Sequence, residues 1–371
     1  MMGAILNARW PQRLLGLPWA IILVVIGIGS FGLVVLYSAA GGSFDPWAIN
    51  QGIKFALFLG MMLVLSQVNL RFWLMIAYPL YTVLLVALVG VEIAGAVRGG
   101  SQRWLDLGFI RLQPSEFMKL AIVLALARFY HFLPRGYAGK LSGIWPPLAM
   151  ILLPGAFVML QPDLGTALMI VAGGLTIMFL GGLPLRWIIG PGVLIAASLP
   201  FIFNLMHDYQ QRRVLIFLDP SADPLGSGYH ITQSKIAIGS GGISGKGFLE
   251  GSQSHLEYLP EQHTDFVFAT MAEEWGLIGG VTLLVAFGVI LNWGIRVSMQ
   301  TQTVFGRLLA AGLSMTIFFY VLINVMMVMG LAPVVGIPLP LVSYGGSAML
   351  TVMIALGILM GVHRQRREKE I

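Results

Sequence analysis

The first candidate for chemistry is the polar segment at residues 260–265, which comes immediately before a long apolar run. Glu261, His263, Thr264 and Asp265 gather acidic, imidazole and hydroxyl groups where a membrane helix is expected to begin. Ionisable side chains at that depth are costly, so they are functional candidates. Asp265 is suited to the role of general base, but Asp is also a favoured helix N-cap, and the sequence leaves both roles open.

A second cluster of charges lies between the third and fourth apolar runs. The guanidinium of Arg103 has the fork geometry that binds phosphate through two hydrogen bonds. Pro114 is well placed as the first residue of a helix, which puts Glu116 and Lys119 on one face of it, three residues apart. These two side chains could form a local ion pair that keeps both charges tolerable at the membrane rim. Alternatively, Lys119 is a cation held ready for a phosphate and oriented by Glu116.

Further polar residues are expected at the same face of the membrane. Asp163 is placed to cap the sixth apolar run, and Ser343 lies just before the last one. Glu273 and Glu274 follow Asp265 by eight and nine residues, which is ~12–13 Å along a helix. At that depth the two acids must be neutral, paired or next to water, and they could either anchor the bundle or extend a polar channel.

The longest polar insert, residues 207–264, contains four of the six His residues. Its glycine-rich part, residues 239–247, is not a P-loop, because Ser240 and Gly247 stand where that motif needs Gly and Ser or Thr. The backbone amides of this part could form an anion-binding nest, or the part could be an ordinary flexible loop. The residues before it, 229–238, predict a short interfacial helix.

Composition excludes a soluble globular protein. Hydrophobic residues make up 57% of the 371 residues and charged residues only 10%, against ~25% charged in an average soluble protein. Cysteine is absent, so disulfides and thiolate sites are excluded. The net charge of +6 does not require a nucleic-acid partner, because the basic residues lie in short loops and tails, as membrane topology predicts.

The apolar runs predict an all-α polytopic membrane protein that forms a single domain over residues 1–371. A helix needs ~20 apolar residues to cross the hydrocarbon core. About ten runs approach that length, with residues 207–264 as a large outer loop between the seventh and eighth; the runs are 17–38, 49–67, 72–94, 115–131, 144–161, 165–182, 187–206, 266–292, 307–330 and 345–362. The first run is longer than the 7–15-residue centre of a secretory signal, so we expect the mature chain to keep it.

The distribution of Lys and Arg predicts the orientation. With ten spans both termini lie on the same side, and placing them inside leaves thirteen of the 22 Lys and Arg residues in inner segments. Short inner loops are enriched in these residues. The thirteen are Arg9, Arg13, Arg71, Arg128, Arg135, Lys140, Arg186, Arg296, Arg307, Arg364, Arg366, Arg367 and Lys369. The insert at 207–264 is therefore expected to face the exterior or the periplasm.

Five blocks of the sequence resemble the SEDS family of peptidoglycan glycosyltransferases, and they occur in the family's order over nearly the whole chain. The chain is more similar to the elongation (RodA-type) branch than to the division (FtsW-type) branch in three respects. These are the residues of the last block, the short N-terminal tail and the length. The blocks are QPSEFMK at 113–119, QPDLGTA at 161–167, FLDP to GISGKG at 217–247, LPEQHTDFVFATMAEEWGLIGG at 259–280 and GIPLPLVSYGGS at 336–347.

The resemblance implies polymerisation of lipid II, a disaccharide-pentapeptide carried on undecaprenyl diphosphate, by inverting transfer. Asp265 is then the essential carboxylate and base, cations stabilise the leaving diphosphate, and a groove between helices admits the polyprenyl tail. Substrate-binding roles are implied for Arg103, Glu116, Lys119, Asp163, Arg212, Gln233, Ser234, Lys246, His263, Thr264, Glu274 and Ser343.

The resemblance also implies a location and partners. The chain is expected in the bacterial cytoplasmic (inner) membrane, with both termini in the cytoplasm and the active site facing the periplasm. Expected partners are lipid II, the growing glycan strand, a class B penicillin-binding protein and other membrane proteins of the elongation complex, but no nucleic acid. The resemblance assigns no cofactor with certainty, and a divalent cation is left open.

Four alternatives stay open at this point. A lipid II flippase would use cations in a cavity and would survive loss of the base. A scaffold for a cell-wall complex would tolerate loss of Asp265 altogether. The remaining two are a division-specific polymerase and another membrane glycosyltransferase such as an O-antigen ligase. The two halves of the chain show no internal repeat, which weakens a transport function because many secondary transporters are built from repeats.

Overall fold

The structure is a computed structural model that describes residues 16–94, 96–98, 101–106, 111–134, 136–206, 208–220, 223, 226–255 and 262–366. Outside these ranges lie Glu261 of the candidate site and five of the inner basic residues, Arg9, Arg13, Arg135, Arg367 and Lys369.

The described residues are mostly helical. The helices are α1 (Trp19–Ala39), α2 (Ala48–Leu65), α3 (Leu70–Ala94), α4 (Pro114–Phe132), α5 (Leu141–Leu160), α6 (Leu164–Leu180), α7 (Arg186–Ala197), α8 (Leu199–Leu205), α9 (Asp208–Leu218), α10 (Ser227–Gly241), α11 (Ser252–His255), α12 (Val267–Gln300), α13 (Val304–Val328) and α14 (Gly346–Gln365).

Every predicted apolar run coincides with helix, which confirms a helical membrane protein with several spans. Within the described residues, seven helices are long and apolar enough to cross a membrane: α1, α2, α3, α5, α12, α13 and α14. Helix α6 is a shorter apolar helix of 17 residues, and the seventh predicted run is interrupted at Ser198, between α7 and α8. The chain is a multi-pass membrane protein, and the number of ten spans stays a prediction.

A small sheet lies in the connection between α3 and α4. Its three short antiparallel strands are β1 (Ala96–Arg98), β2 (Ser101–Asp106) and β3 (Arg111–Leu112), in that order. The pattern of apolar runs did not predict these strands. They pair backbone groups within a polar connection that has no helix to satisfy them.

Helix α4 is the centre of the bundle. It packs against α3, α6 and α13, and its side chains are buried almost without interruption from Pro114 to Ala127. A membrane helix surrounded by protein can carry charges that a lipid-facing helix cannot. This environment is where Glu116 and Lys119 lie.

Arg128 of α4 supplies a hydrogen bond that α3 loses at Pro79. Pro79 has no N–H, so the carbonyl of Met75, four residues earlier, lacks its helical donor. The Arg128 Nη1 donates to the Met75 oxygen at 2.9 Å and to the Leu74 oxygen at 2.7 Å, and its guanidinium lies 4.6 Å from the centre of the Tyr78 ring. Arg128 therefore joins α4 to α3 at a point where lipid would leave a carbonyl unsatisfied.

Helix α12 is broken at Gly276, and the glycine-rich loop fills the break. Gly276 has φ 63° and ψ −161°, a backbone conformation that is essentially restricted to glycine. The backbone groups freed on both sides of the break pair with residues 242–247. The pairs are Leu277 N to Gly242 O at 2.9 Å, Ile278 N to Ile243 O at 3.1 Å, Lys246 N to Glu273 O at 3.0 Å and Gly247 N to Glu274 O at 3.1 Å.

These contacts overturn the anion-nest alternative for residues 239–247. The amides of Gly245, Lys246 and Gly247 all donate to carbonyls of the protein, so they are not available to an anion. The loop is instead a packed part of the membrane domain. The helix predicted before it is confirmed as α10, which ends at Gly241.

Candidate active site

The segment 262–265, which leads into α12, is fixed through its backbone. Each of its four carbonyl oxygens accepts a hydrogen bond from a residue outside the segment. In chain order the donors are the Thr270 hydroxyl at 3.4 Å, the Tyr344 amide at 2.7 Å, the Ser343 hydroxyl at 2.6 Å and the Asn324 side-chain amide at 2.9 Å. The segment is thereby held to α13 and to the loop before α14.

Asn324 makes the contact that positions Asp265. Its side chain is fully buried on α13, and the same Nδ2 that donates to Asp265 O also donates to Ile337 O at 2.7 Å. A Cβ added at Gly336, which has φ 70°, would lie 3.4 Å from the Asp265 Oδ2. Glycine therefore suits the close approach of this loop to the carboxylate.

Asp265 is not the N-cap of α12. The helix begins at Val267 and its N-cap is Phe266, whose carbonyl accepts from Ala269 N at 2.9 Å. The N-cap alternative for Asp265 is therefore contradicted. Asp265 is half-buried and lies one residue before the cap.

An aromatic pair holds the side chain of His263. The imidazole stacks on Trp47 with 4.1 Å between ring centres and an angle of 6°, and the Tyr344 ring lies 6.0 Å away. Ser343 is nearly buried, and its hydroxyl accepts from Leu339 N at 2.8 Å while it donates to Thr264 O. Ser343 therefore helps to hold the segment, and the substrate contact predicted for it stays a prediction.

Glu116 and Lys119 form a buried ion pair. The Lys119 Nζ lies 2.6 Å from the Glu116 Oε1, and the two side chains are only 1% and 7% exposed. Tyr320 of α13 donates its hydroxyl to the Glu116 Oε2, and its ring centre lies 4.2 Å from the Lys119 ammonium. The structure supports the ion-pair alternative, because the ammonium is enclosed by groups of the protein.

Arg103 and Asp163 meet at the corner between α5 and α6. The Arg103 Nε donates to Gln161 O at 3.0 Å and its Nη2 donates to Pro162 O. Asp163 is the N-cap of α6, as predicted, and accepts from Thr166 N at 3.1 Å. Its second oxygen accepts from the Gln113 side chain at 3.2 Å. Arg103 is half-buried, and its remaining N–H groups are not paired in any contact that the described residues make.

Glu273 and Glu274 anchor the loop that follows α10. Glu273 pairs with the Lys246 Nζ at 2.6 Å and accepts from the Ser252 hydroxyl and from Gln253 N. Glu274 is buried and accepts from the Ser38 hydroxyl of α1. The anchoring alternative is therefore supported. Lys246 and Glu274 each have a partner inside the protein, and the substrate contacts predicted for them stay predictions.

The other insert residues are spread over α9 and α10. Ser234 is fully buried and donates to Val328 O at 2.7 Å, so it packs α10 against α13, and its substrate contact stays a prediction. Gln233, next to it, is half-buried, and Arg212 on α9 is exposed. The structure brings neither of them into contact with the segment 262–265 among its recorded hydrogen bonds.

Sequence patterns missed the residues that position the site. Asn324 and Tyr320 lie in an apolar helix, and Gln51, which donates to Ser343 O at 2.8 Å, lies in another. The one available signal was the presence of a polar side chain in a membrane span, which marks a functional candidate. Gln262 lies in the sequence block 259–280, but that pattern assigns it no function; its side chain donates to Ala39 O at 3.1 Å.

No metal centre is evident in the described part of the chain, where no three His, Asp or Glu side chains are grouped as ligands. The involvement of a divalent cation stays a prediction that a chelator titration of the activity would test.

An apolar groove opens between α2, α3, α4 and α14. Its volume is about 400 Å³. All of its lining side chains are apolar, among them Met61, Phe72, Trp73, Phe117, Leu120 and Ile358. A groove of this chemistry suits a hydrocarbon chain.

Comparison with known proteins places the chain. The family model described as "Cell cycle protein", FtsW/RodA/SpoVE, matches residues 18–368. The peptidoglycan glycosyltransferase MrdB of Escherichia coli K12 is 46% identical over 347 residues, 93% of each chain.

Two solved structures are also similar. A chain from work described as "Structural coordination of polymerization and crosslinking by a peptidoglycan synthase complex" superposes with a TM-score of 0.83 at 32% identity, over 95% of this chain and 99% of that one. The rod shape determining protein RodA of Thermus thermophilus superposes with a TM-score of 0.72 at 29% identity, over 95% and 98%. This chain belongs to the FtsW/RodA/SpoVE family.

Proposed function

We propose that the chain polymerises lipid II into glycan strands during cell elongation, at the outer face of the cytoplasmic membrane. The reaction class follows from the similarity of the chain to known proteins. The chain is a peptidoglycan glycosyltransferase of the elongation type, because it shares 46% identity over 93% of both chains with MrdB and the fold of RodA. The observation that carries the mechanism is the fixation of all four carbonyls in the segment 262–265.

Asp265 is the proposed general base. A sugar hydroxyl of the acceptor attacks the anomeric carbon of the donor, the C–O bond to the lipid diphosphate breaks, and the diphosphate leaves with the bonding electrons. Asp265 takes the hydroxyl proton. A base contributes only when it is held within hydrogen-bond reach of that proton, and Asn324 and Ser343 restrict the backbone that carries Asp265. One base without a covalent nucleophile supports inversion at the anomeric carbon.

Arg103 is the proposed cation for the diphosphate. It is half-buried at the outer corner of α5 and α6, and carbonyls orient its guanidinium. Preorganised donors of this kind stabilise charge that develops on a leaving group. The Lys119 ammonium is enclosed by Glu116 and Tyr320, which supports a positioning role for this pair, by fixing α13 against α4.

The apolar groove beside α2 and α3 is proposed to take part of the polyprenyl tail. Its volume of about 400 Å³ accommodates a portion of such a chain, and the rest would extend into the membrane.

A class B penicillin-binding protein is the proposed partner, whose transpeptidase would crosslink the new glycan. The support is the structural similarity to a chain from a peptidoglycan synthase complex. Both termini are proposed to lie in the cytoplasm and residues 207–264 in the periplasm, from the distribution of Lys and Arg.

The test is a reconstituted polymerisation assay. The purified chain, with its partner, is incubated with lipid II and the products are separated on a gel. Asp265→Asn should remove a contribution of ~10²–10⁴ in rate while the protein stays folded and still binds lipid II. Glu92→Gln is the matched control, because Glu92 is an exposed carboxylate at the end of α3. Glycan synthesis by the Asp265→Asn complex at the rate of the control would refute the assignment.

A lipid II flippase is the second candidate, favoured only by the membrane fold. Vesicles that report translocation of a fluorescent lipid II separate the two functions. A flippase would translocate with Asn at position 265 and yield no glycan even as wild type.

A further inference from the structure

Lys54 is a membrane-depth cation to which no role has been assigned so far. It is the seventh residue of α2, which places it ~9 Å along the helix from its outer end. Its side chain is half-buried, and its ammonium lies 4.6 Å from the centre of the Tyr344 ring. Within the described part of the chain the ion pairs are Lys119–Glu116 and Lys246–Glu273, and neither involves Lys54.

A lysine at this depth without a carboxylate partner is unfavourable, and such residues mark binding sites for ions or substrates by default. The face of the Tyr344 ring compensates part of that cost. The first turn of α14 makes the position of the ammonium less favourable, because helix N-termini carry partial positive charge. This turn is close to Lys54, since a Cβ on Gly346 would lie 3.8 Å from the Lys54 Cδ. The ammonium therefore lies in a positive environment that an anion would stabilise.

Hydrogen bonds of the residues around Lys54 connect it to the segment 262–265. One turn earlier on α2, Gln51 donates to Ser343 O at 2.8 Å and accepts from Gly345 N at 3.3 Å. Tyr344, on which Lys54 rests, donates its amide to His263 O at 2.7 Å. A Cβ added at Gly345, the residue between Tyr344 and Gly346, would meet no atom within 4 Å, so there is open space at this point of the loop.

We propose that Lys54 binds the diphosphate of the polyprenyl-linked substrate and rests on Tyr344 when no substrate is bound. The inference rests on the proposed function, since that function supplies the diphosphate. Lys54 snorkelling to lipid headgroups is the plain alternative. A side chain that only snorkelled would not need to lie over the ring of Tyr344, a residue whose backbone amide donates to His263 O in the segment 262–265.

The experiment measures binding apart from catalysis. The full chain, with its partner, is placed in nanodiscs of zwitterionic lipid, and the affinities for undecaprenyl diphosphate and for undecaprenol are compared. Lys54→Met should weaken diphosphate binding about tenfold or more and leave undecaprenol binding unchanged. Lys54→Arg should retain most of the affinity. The control is Lys140→Met, because Lys140 also rests on a tyrosine, at 3.8 Å from the Tyr137 ring centre, far from the site in sequence.

Three outcomes would overturn the proposal. The first is diphosphate binding by Lys54→Met equal to that of Lys140→Met. The second is an equal loss for both ligands together with a lower melting temperature, which would make Lys54 a structural support of Tyr344. The third is a wild-type preference for phosphatidylglycerol that Lys54→Met abolishes while diphosphate binding persists, which would assign Lys54 to headgroups. Failure of the wild type to polymerise lipid II would refute the proposed function and leave this binding comparison intact.

Discussion

Tyr320 and Asn324 lie one helical turn apart on α13, and each holds a different half of the candidate site. Tyr320 donates to Glu116 and covers the Lys119 ammonium. Asn324 donates to the carbonyls of Asp265 and Ile337. Residues four apart share a helix face, so a shift of α13 would move the Glu116–Lys119 ion pair and the segment 262–265 together.

Replacing Asn324 should impair catalysis more than stability. Asn324→Leu leaves the Asp265 and Ile337 carbonyls without their donor, which should lower the free energy of unfolding by ~1–3 kcal/mol. The backbone of Asp265 is then less restrained, and a misplacement of that kind can lower the rate ~10²-fold. Melting in detergent and polymerisation by the reconstituted complex measure the two effects. The matched control is Asn292→Leu, since Asn292 is exposed on α12 and accepts from Arg296 one turn away. Equal activity of the two variants would contradict the role given to Asn324.

The ion pair should behave as a unit. Lys119→Met leaves Glu116 buried without its cation, which should destabilise the protein by roughly 3–5 kcal/mol. The double change Glu116→Gln with Lys119→Met removes both charges and should restore folding and most of the activity, because Tyr320 can still hydrogen-bond to Gln. If the double variant folds well but stays inactive, the Lys119 charge is needed by the substrate, and the positioning role is wrong.

The membrane architecture and the main candidate could be predicted from the sequence because both depend on local patterns. Apolar runs of about twenty residues give helices wherever backbone groups must pair internally. The three-residue spacing of Glu116 and Lys119 predicted their contact, and the ionisable group at the head of an apolar run singled out Asp265. These inferences need no knowledge of which helices are neighbours.

The partners of these residues could not be predicted, because they come from distant parts of the chain. Asn324 is 59 residues from Asp265, and Tyr320 is 204 residues from Glu116. The same limit explains the glycine-rich loop. Its amides looked available for an anion, and only the fold shows that the break at Gly276 uses them. A glycine in a membrane helix is common enough that it does not by itself indicate a break.

Reporter fusions should reveal the predicted orientation. Fusions after residues 140 and 300 should report the cytoplasm, and a fusion after residue 250 should report the periplasm. The reason is the excess of Lys and Arg in the segments assigned to the inside, thirteen of 22. The three fusions control for one another, since an inverted pattern would place the insert at 207–264 in the cytoplasm and exclude lipid II polymerisation at the outer face.

The break in α12 offers the sharpest test of the packed loop. Gly276→Ala forces a side chain into a conformation that costs ~1–3 kcal/mol, and the added Cβ would collide with the Gly245 nitrogen and the Ile243 oxygen. We expect a clear fall in melting temperature and faster proteolysis within residues 242–253. Gly288→Ala, on the same helix with no atom within 4 Å of the added Cβ, should be neutral or gain up to ~1 kcal/mol. If both variants melt alike and the loop stays protected, residues 242–247 do not fill the break.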